Sequence, residues 1–199
     1  MSENLELNQI EVEQNNLRIR EYRECDCEEI WQLNSLAFES EGGLIDPFDQ
    51  EEKRRFFDKL NKVNNQRKGI VLVGTINNQI ITMGAIQETA DRNVGEIIRI
   101  RTHPKYRKKG YASLIIQALE ENARRLGYQK LVLGTANFHK EANNLYKKMG
   151  FILVKETPLP QAVATFGGLS LNYRDLRYKK YLVPEFLICY FFTTSNRLK

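Results

Sequence analysis

The sequence predicts an α/β (α+β) fold, built as a mixed, mostly antiparallel seven-stranded sheet with helices on both faces. Strand-like and helix-like runs follow in the order strand, two helices, three antiparallel strands, helix, strand, helix and strand, with a final strand after a loop. Glycines stop two of the helix-like runs, and two asparagines separate the strands of a hairpin. At 199 residues the chain is long enough for one domain with a full core.

The N-terminal part of the chain reads as a polar extension, a strand and two helices. Residues 1–16 form the extension, and residues 17–22 alternate apolar and basic side chains, as a half-buried strand does. Asp26 can cap a first helix, whose apolar residues recur at spacings of three and four. A second helix is predicted over residues 50–63. Its inward residues are Phe56, Phe57 and Leu60.

The middle of the chain predicts three antiparallel strands. Residues 70–76 and 80–87 are strand-like and flank Asn77-Asn78, which tolerates the positive φ of a tight hairpin turn. The turn signal at residues 91–93 leads to a further strand over residues 96–102.

The second half of the chain alternates helices and strands. Gly127 and Gly150 follow two helix-like runs and are expected to end them. The remaining predicted elements are a helix from Ser113, a strand over 130–135, a helix over 140–149, a strand over 151–154, a loop over 158–168 and a strand over 176–182. The apolar run at residues 186–192 is compatible with an extra strand or a packed helix, and the sequence does not decide between them.

Composition places the chain among soluble, reduced proteins. Hydrophobic residues make up 42% and charged residues 28%, and no apolar run approaches the roughly 20 residues of a membrane span. The N-terminus lacks the pattern of a secretion signal, so we expect a cytoplasmic protein with no membrane partner. The cysteines Cys25, Cys27 and Cys189 are too few for a disulfide framework and lack the spacing of a zinc site, so no metal is expected.

The net charge of +5 is unevenly distributed. Residues 1–16 carry four glutamates and no Lys or Arg, so residues 17–199 carry +9 (5 + 4). A basic body indicates an anionic ligand, which can be nucleic acid, an acidic surface or a polyphosphate cofactor. The chain lacks a helix-turn-helix, zinc-finger or RNA-binding aromatic motif, so nucleic acid is the weaker alternative.

The segment Arg107–Ala112 is the most informative of the chain. It joins a predicted strand to a predicted helix, and the first backbone N–H groups of such a helix are unpaired and carry the positive end of its dipole. Three cations lead into the turn, and Gly110 allows close approach of a ligand or a positive φ. These features predict that a phosphate-bearing cofactor binds here.

Two motifs resemble the GCN5-related N-acetyltransferase (GNAT) superfamily over roughly residues 17–183. The coenzyme A loop of that family, Arg/Gln-x-x-Gly-x-Gly/Ala, is matched by Arg107, Gly110 and Ala112, after His103-Pro104. A second signature, Ala-x-x-Leu-Tyr-x-x-x-Gly-Phe, is matched by Ala142, Leu145, Tyr146, Gly150 and Phe151. The resemblance implies a GNAT-like acyl-CoA N-acyltransferase fold, with residues 1–16 and 184–199 as extensions of the domain.

The resemblance implies an acetyl-CoA-dependent N-acetyltransferase that moves an acetyl group to a primary amine by direct attack in a ternary complex. The strand before the loop should offer main-chain groups to the pantetheine arm. The residues expected to bind the cofactor are Ile100, Arg101, Thr102, Arg107, Lys108, Lys109, Gly110, Tyr111, Ala112, Asn137 and Tyr146. The acceptor, a small-molecule or peptide amine, should bind between the first two helices and the loop before the last strand, at residues 26–63 and 158–176.

Tyr146 and Glu96 are the candidate catalytic residues. Tyr146 occupies the position at which relatives protonate the leaving thiolate, and its ordinary pKa near ~10 keeps a phenol protonated. A purely structural ring in the core is the competing interpretation of Tyr146. Glu96 lies where many relatives place a general base, and it can instead be a solvated carboxylate or a partner for Arg99. Certain relatives carry an acidic residue at the position of Gly134 instead.

A binding function without turnover is also compatible with the sequence. A non-catalytic acyl-CoA-binding sensor of the same fold would keep the loop but not need the two catalytic residues. His139 stands where the family often has Asn, and it is a further candidate for cofactor contact or proton transfer. A homodimer is compatible with the sequence as well.

Overall fold

The computed structural model describes residues 12–14, 16–40, 49–158, 165–166, 169–170 and 174–182. The apolar run at residues 186–192 lies outside the described residues, as do most of residues 1–16 and much of the predicted loop at 158–168. Within the described ranges the chain forms four α-helices and ten strands.

The main helices and strands follow one another in the predicted order. The α-helices are α1 (Cys27–Glu39), α2 (Gln50–Asn64), α3 (Tyr111–Arg125) and α4 (Lys140–Lys148). The first five strands are β1 (Val12–Gln14), β2 (Leu17–Glu21), β3 (Ile70–Ile76), β4 (Gln79–Glu88) and β5 (Val94–Thr102). The others are β6 (Lys130–Ala136), β7 (Ile152–Pro158), β8 (Thr165–Phe166), β9 (Leu169–Ser170) and β10 (Arg174–Tyr181).

The chain divides into two compact units, and strands β4 and β5 run through both. The first unit comprises Met1–Asn65, Ile70–Ala85 and Arg99–Ala118. Its strands are hydrogen-bonded in the order β1-β2-β3-β4-β5. The pairs β1/β2 and β2/β3 are antiparallel. Its core is apolar and includes Leu17, Ile30, Trp31, Leu33, Leu60, Val71, Ile81 and Met83.

The second unit comprises Gln66–Gly69, Ile86–Ile98 and Leu119–Lys199. Its strand order is β4-β5-β6-β10-β7. Strand β6 pairs in parallel with β5 and antiparallel with β10, and β10 pairs antiparallel with β7. Its buried apolar side chains include Ile86, Ile97, Leu119, Ala123, Tyr128, Leu131, Leu133, Phe151 and Tyr178. Predominantly antiparallel strands with one parallel pair confirm the predicted mixed sheet, to which β1 adds a short eighth strand.

Local sequence signals account for several boundaries. Asn77 and Asn78 have φ values of 50° and 64°, the left-handed pair that a two-residue hairpin turn requires. Gly127 and Gly150 have φ values of +78° and +83° and follow the ends of α3 and α4, as predicted.

Several boundaries differ from the prediction, and three of these differences change the description of an element. Helix α3 begins at Tyr111 and not at Ser113, because the carbonyl of Gly110 already accepts the N–H groups of Ser113 and Leu114 at 2.9 and 3.1 Å. The strand predicted over 151–154 runs instead from Ile152 to Pro158, along its antiparallel partner β10. The predicted loop at 158–168 contains part of a small two-stranded pair, β8 with β9.

The entry into α1 depends on an ion pair that the sequence did not predict. A 3-10 turn over Glu24–Asp26 leads into the helix. Asp26 was predicted to cap α1, but its carboxylate accepts the backbone N–H of the preceding Arg23 at 2.8 Å. The two Nη atoms of Arg20 on β2 donate to the same carboxylate at 2.6 and 2.7 Å. Burial alone would raise the pKa of Asp26, but these donors outweigh it and hold the pKa below its ordinary value.

We predict that this buried pair makes folding acid-sensitive. A carboxyl with a lowered folded-state pKa contributes stability above its unfolded pKa of about 3.9, and this contribution disappears as the pH falls through the lower folded value. Asp26→Asn should therefore cost about 2 kcal/mol at neutral pH and flatten the acid limb of the stability curve below about pH 4. Chemical denaturation across a pH series measures both effects.

The control is Glu121→Gln, which removes an exposed pair between Glu121 and Arg125 on α3 at 2.5 Å. It should change stability by less than about 0.5 kcal/mol, since exposed pairs contribute little. Equal losses for the two variants would contradict the special role of Asp26.

Candidate active site

The first unit holds the predicted anion loop between β5 and α3. A 3-10 turn over Pro104–Tyr106 follows β5, and His103 caps it. The Nδ1 atom of His103 accepts the backbone N–H of Lys105 at 3.2 Å, and the N–H of His103 donates to the carbonyl of Ile81 on β4 at 2.8 Å. The turn is therefore fixed to the sheet immediately before the cationic segment begins.

His103 is held neutral by its surroundings. Burial lowers its pKa below the ordinary value, and the positive charges of Lys105 and Arg107 lower it further. A neutral imidazole keeps Nδ1 as an acceptor, which the cap of the 3-10 turn needs. The charges of Lys105 and Arg107 also make the surroundings of the loop positive, as an anion site requires.

Arg107 fastens the loop to its neighbours. Its Nε donates to the carbonyl of Thr102 at 3.3 Å, and its Nη2 donates to the carbonyl of Ala37 at the end of α1 at 3.2 Å. The family motif begins with Arg107, and these contacts assign its side chain a positioning role for the backbone of the turn. A guanidinium has five donors, and these bonds use two of them.

Two residues of the loop have a left-handed backbone. Lys108 and Gly110 have φ values of 61° and +88°. A Cβ added to Gly110 would meet no heavy atom within 4 Å, so the space beside this backbone is open. Helix geometry leaves the N–H groups of Tyr111 and Ala112, the first two residues of α3, without intrahelical acceptors. Open space, helix amide donors and the helix dipole coincide at this turn.

The end of β5 was predicted to contact pantetheine. Its three backbone carbonyls already accept hydrogen bonds from the protein. Arg101 donates to the carbonyl of Ile100 at 3.1 Å, and the hydroxyl of Thr82 donates to the carbonyl of Arg101 at 2.8 Å. The carbonyl of Thr102 accepts from Arg107. A carbonyl has two lone pairs, so these bonds fix the strand end and still allow a ligand contact.

Glu96, in the second unit, is bound through both carboxylate oxygens. Oε2 accepts from Nε2 of Gln87 at 2.6 Å, and Oε1 accepts from Nη1 of Arg177 at 3.1 Å. Arg177 also donates to Asp175 on the same strand at 2.8 Å. The carboxylate side chain is 23% exposed, so it lies at the surface of the unit and remains open to solvent.

Gly134 makes the Arg177 arrangement possible. A Cβ at position 134 would lie 2.8 Å from Nη1 of Arg177 and 3.0 Å from its Cζ, so the guanidinium lies directly over the glycine. The contact between Arg177 and Glu96 spans 81 residues, which is why sequence reasoning missed Arg177.

Tyr146 on α4 lies in a cluster of aromatic rings. It is 7% exposed, and its ring centroid lies 6.2 Å from that of Phe151 and 6.0 Å from that of Tyr178. The hydroxyl of Tyr178 donates to Oδ1 of the buried Asn143 at 2.9 Å. Nδ2 of Asn143 donates to the carbonyls of Ala136 and His139 at 2.9 Å. This network fixes the start of α4, and sequence reasoning missed Asn143.

Asn137 and His139 lie at the junction of β6 and α4. Oδ1 of Asn137 accepts the backbone N–H of Arg174 at 3.0 Å, and its own N–H donates to the carbonyl of Arg174 at 3.0 Å. This reciprocal pair anchors the start of β10, so the side-chain oxygen of Asn137 has a structural role. His139 occupies the N-cap position of α4, with its ring centroid 4.2 Å from that of Phe138.

The predicted residues thus fall into three groups. Thr102 and Arg107 are in contact within the first unit, whereas Glu96 and Tyr146 belong to separate side-chain clusters of the second. Within the described ranges, no group of three or more His, Cys, Asp or Glu side chains is arranged to hold a metal ion. No helix in the described part of the chain is long and apolar enough to cross a membrane.

Comparison with protein families gives a match over residues 27–151 to the model described as the acetyltransferase (GNAT) family. The amino-acid acetyltransferase of Pseudomonas aeruginosa is 28% identical over 151 residues, which is 73% of this chain and 33% of that protein. The N-acetylaspartate synthetase of Danio rerio is 32% identical over 112 residues, or 55% of this chain and 39% of that protein. The chain therefore spans well under half the length of these curated relatives.

Comparison with solved structures gives the same fold. The yncA protein of Salmonella typhimurium, solved with its cofactor acetyl-CoA, superposes with a TM-score of 0.65 at 20% identity. The match covers 85% of this chain and 95% of that one. At this level of identity the similarity establishes the fold only. The ligand of this chain has to be inferred from its own residues.

Proposed function

The chain belongs to the acetyltransferase (GNAT) family, and from that premise we propose that it is an acetyl-CoA-dependent N-acetyltransferase acting on a primary amine. The observation that carries the proposal is the turn before α3. There an open left-handed glycine, helix amides without intrahelical acceptors and a positive field occur together, as a pyrophosphate would require. The matched relatives named for amino-acid and N-acetylaspartate products favour a small-molecule acceptor over a peptide.

The residues of the loop fit acetyl-CoA as the acetyl donor. In our proposal the amides of Tyr111 and Ala112 hold the pyrophosphate, and Gly110 allows its close approach. Lys108 and Lys109 are exposed and supply charge to the phosphates. Ile100, Arg101 and Thr102 contribute main-chain contacts along the pantetheine arm. Arg107 positions the loop through its bonds to Thr102 and Ala37.

The proposed reaction is a direct transfer. A primary ammonium group first loses a proton, and the neutral nitrogen forms a new bond to the thioester carbonyl carbon. The carbon–sulfur bond breaks, and sulfur leaves with the electron pair of that bond. The nitrogen gives up a second proton as the amide forms, and the leaving sulfur takes up one proton to become a thiol. One proton is released overall for each acetyl group transferred.

We assign the removal of the first proton from the substrate ammonium group to Glu96. Its carboxylate is partly exposed, and Gln87 and Arg177 fix both oxygens. Since a primary amine with a pKa near ~10 is mostly protonated at neutral pH, a positioned acceptor raises the fraction that can react. Glu96 can take that proton directly or through a water molecule.

We assign the donation of a proton to the leaving sulfur to Tyr146. A phenol, with an ordinary pKa near ~10, carries a proton at neutral pH that it can donate when a thiolate develops. Phe151 and Tyr178 fix the direction of the ring. His139 and Asn137, at the start of α4, are further candidates for polar contact with the cofactor, although Oδ1 of Asn137 already bonds to Arg174.

A non-catalytic acyl-CoA sensor is the second candidate function. The observation that favours it is the engagement of both Glu96 oxygens, which a purely structural carboxylate would also show. We place either function in the cytoplasm, a proposal supported by the free thiols of Cys25 and Cys27. Release of coenzyme A from acetyl-CoA in the presence of amines separates the enzyme from the sensor.

We predict that Gly110→Val weakens coenzyme A binding at least tenfold, about 1.4 kcal/mol. The branched side chain occupies the open space at the turn and resists the φ of +88°. Calorimetric titration with coenzyme A measures the loss. Gly127→Val is the matched control, because Gly127 has a similar φ of +78° at the other end of α3. Gly127→Val should lower stability and leave the affinity for coenzyme A unchanged. An unchanged affinity in Gly110→Val would contradict the assignment of the loop as the pyrophosphate site.

We predict that Glu96→Gln lowers turnover at neutral pH and that the rate recovers partly as the pH rises. The amide keeps the shape of the side chain but cannot accept a proton, whereas alkaline solution deprotonates the amine without help. A pH–rate profile with a saturating acceptor measures this. Asp175→Asn is the control, since it removes the other carboxylate bonded to Arg177 and should keep the wild-type profile. Superimposable profiles for Glu96→Gln and wild type would leave Glu96 with a structural role.

We predict that Tyr146→Phe lowers turnover by roughly two orders of magnitude, the scale of lost general-acid catalysis. The variant keeps the ring in its aromatic cluster, so stability and coenzyme A affinity should be retained. Tyr178→Phe removes a hydroxyl from the same cluster, where it bonds to Asn143. This control should cost about 1 kcal/mol of stability and little turnover. Wild-type turnover in Tyr146→Phe would show that Tyr146 has only a structural role.

A further inference from the structure

Strand β7 is the outermost strand of the sheet in the second unit. Within the described ranges β10 is the only strand that pairs with it. All seven residues of β7 are exposed. The backbone N–H and C=O groups that point away from β10 therefore face solvent, and an open edge of this kind is a template for a further strand.

Exposed apolar side chains are concentrated at this edge. Among the described residues six large apolar side chains are exposed, and four of them belong to β7 and β10. Ile152, Leu153 and Val154 of β7 are exposed by 60%, 39% and 49%, and Tyr181 at the end of β10 by 62%. Single exposed apolar residues are ordinary, but a group of them on two neighbouring strands indicates an interaction surface.

The apolar side chains of β7 lie on both faces of the strand. Residues that are opposite each other on paired strands point to the same face of the sheet. Leu153 is opposite Tyr178, which is buried in the core, whereas Ile152 is opposite Lys179 and points to the other face. A helix or a flat surface laid on the sheet could cover only one of these faces. A strand added alongside β7 contacts both faces and also pairs the open backbone groups.

The charges near β7 are mostly paired within the chain. Arg174 of β10 lies 3.3 Å from Glu156 of β7, and Lys180 lies 2.7 Å from Glu120 of α3. Arg177 bonds to two carboxylates, as described above. Three of the four cations of β10 are thus in ion pairs. A polyanion such as nucleic acid would find few unpaired cations here, whereas a second copy of the chain meets little repulsion.

We propose that β7 pairs antiparallel with β7 of a second copy of this chain and so forms a homodimer. A two-fold axis brings the same edge of both copies together, so one contact covers two open edges and leaves neither of them free to extend further. β7 itself carries one Lys and one Glu, Lys155 and Glu156, and adds no net charge to the contact. No residue of the loop before α3 takes part, so the dimer does not depend on the proposed acetyl transfer.

The contact should be reversible. One strand pair with a few aliphatic side chains is small beside a standard protein interface of about 1,600 Å². Lys155 and Pro158, residue types that commonly protect a strand edge, stand in the second half of β7 and leave Ile152 to Val154 open. We therefore expect a dissociation constant on the order of micromolar.

Sedimentation velocity of the full chain over a wide range of concentrations tests the dimer. Ile152→Lys and Val154→Lys should each raise the dimer dissociation constant at least tenfold, because a charge is then desolvated in each copy at the contact. Both positions are exposed in the single chain, so the thermal unfolding of the monomer should stay within a few degrees of the wild type. Leu36→Lys is the matched control. It places the same charge on the exposed Leu36 of α1 and should leave the dissociation constant within twofold.

Hydrogen exchange locates the contact. Backbone amides of β7 should exchange more slowly as the wild-type concentration rises, and this dependence should be lost in Ile152→Lys. A wild type that stays monomeric at every concentration would overturn the proposal, as would a dimer that Ile152→Lys and Leu36→Lys weaken equally. Protection of the β7 amides that is the same in dilute and concentrated samples would also overturn it, since another part of the same chain would then cover the edge. None of these measurements requires turnover, so their outcome is independent of the transferase proposal.

Discussion

The parallel pairing of β5 with β6 is the constraint on which the rest of the structure depends. Two parallel neighbours cannot be joined by a tight turn, so the chain must cross over through α3. The crossover places the N-terminus of α3 immediately after the carboxyl end of β5, where ligands of such sheets commonly bind. The helix amides without intrahelical acceptors, the cap at His103 and the left-handed Gly110 follow from the need to change direction within a few residues.

Charges on β5 are arranged in two contrasting ways. At Glu96 the carboxylate accepts hydrogen bonds from Gln87 and from the Arg177 guanidinium. At Arg99 the cation lies over the ring of Phe56, and an aromatic face attracts a positive charge without neutralising it. The first arrangement bonds side chains of neighbouring strands to one another, and the second packs a cation of the strand against a helix.

Features governed by short segments could be predicted from the sequence. Asn77-Asn78 and Gly127 have intrinsic preferences for left-handed backbone, so the hairpin and the end of α3 were found where expected. Contacts between distant segments could not be predicted, because no local pattern encodes them. The bond between Tyr178 and Asn143 and the position of Arg177 over Gly134 depend on β10 lying beside β6. Asp26 is an intermediate case. Its place near the start of α1 could be predicted, but its hydrogen bond to Arg20 on β2 could not.

The close contact between Gly134 and Arg177 has an evolutionary consequence. Any side chain at position 134 would require the guanidinium to move, and the loss of Arg177 would remove this steric reason for keeping a glycine there. Such a move would disturb the bonds of Arg177 to Glu96 and Asp175, so the two positions should tend to vary together among descendants of this sequence, and the glycine is replaced most readily once Arg177 has been lost. An arginine retained beside a glycine would mark the lineage that shares this charge arrangement, independently of overall sequence identity.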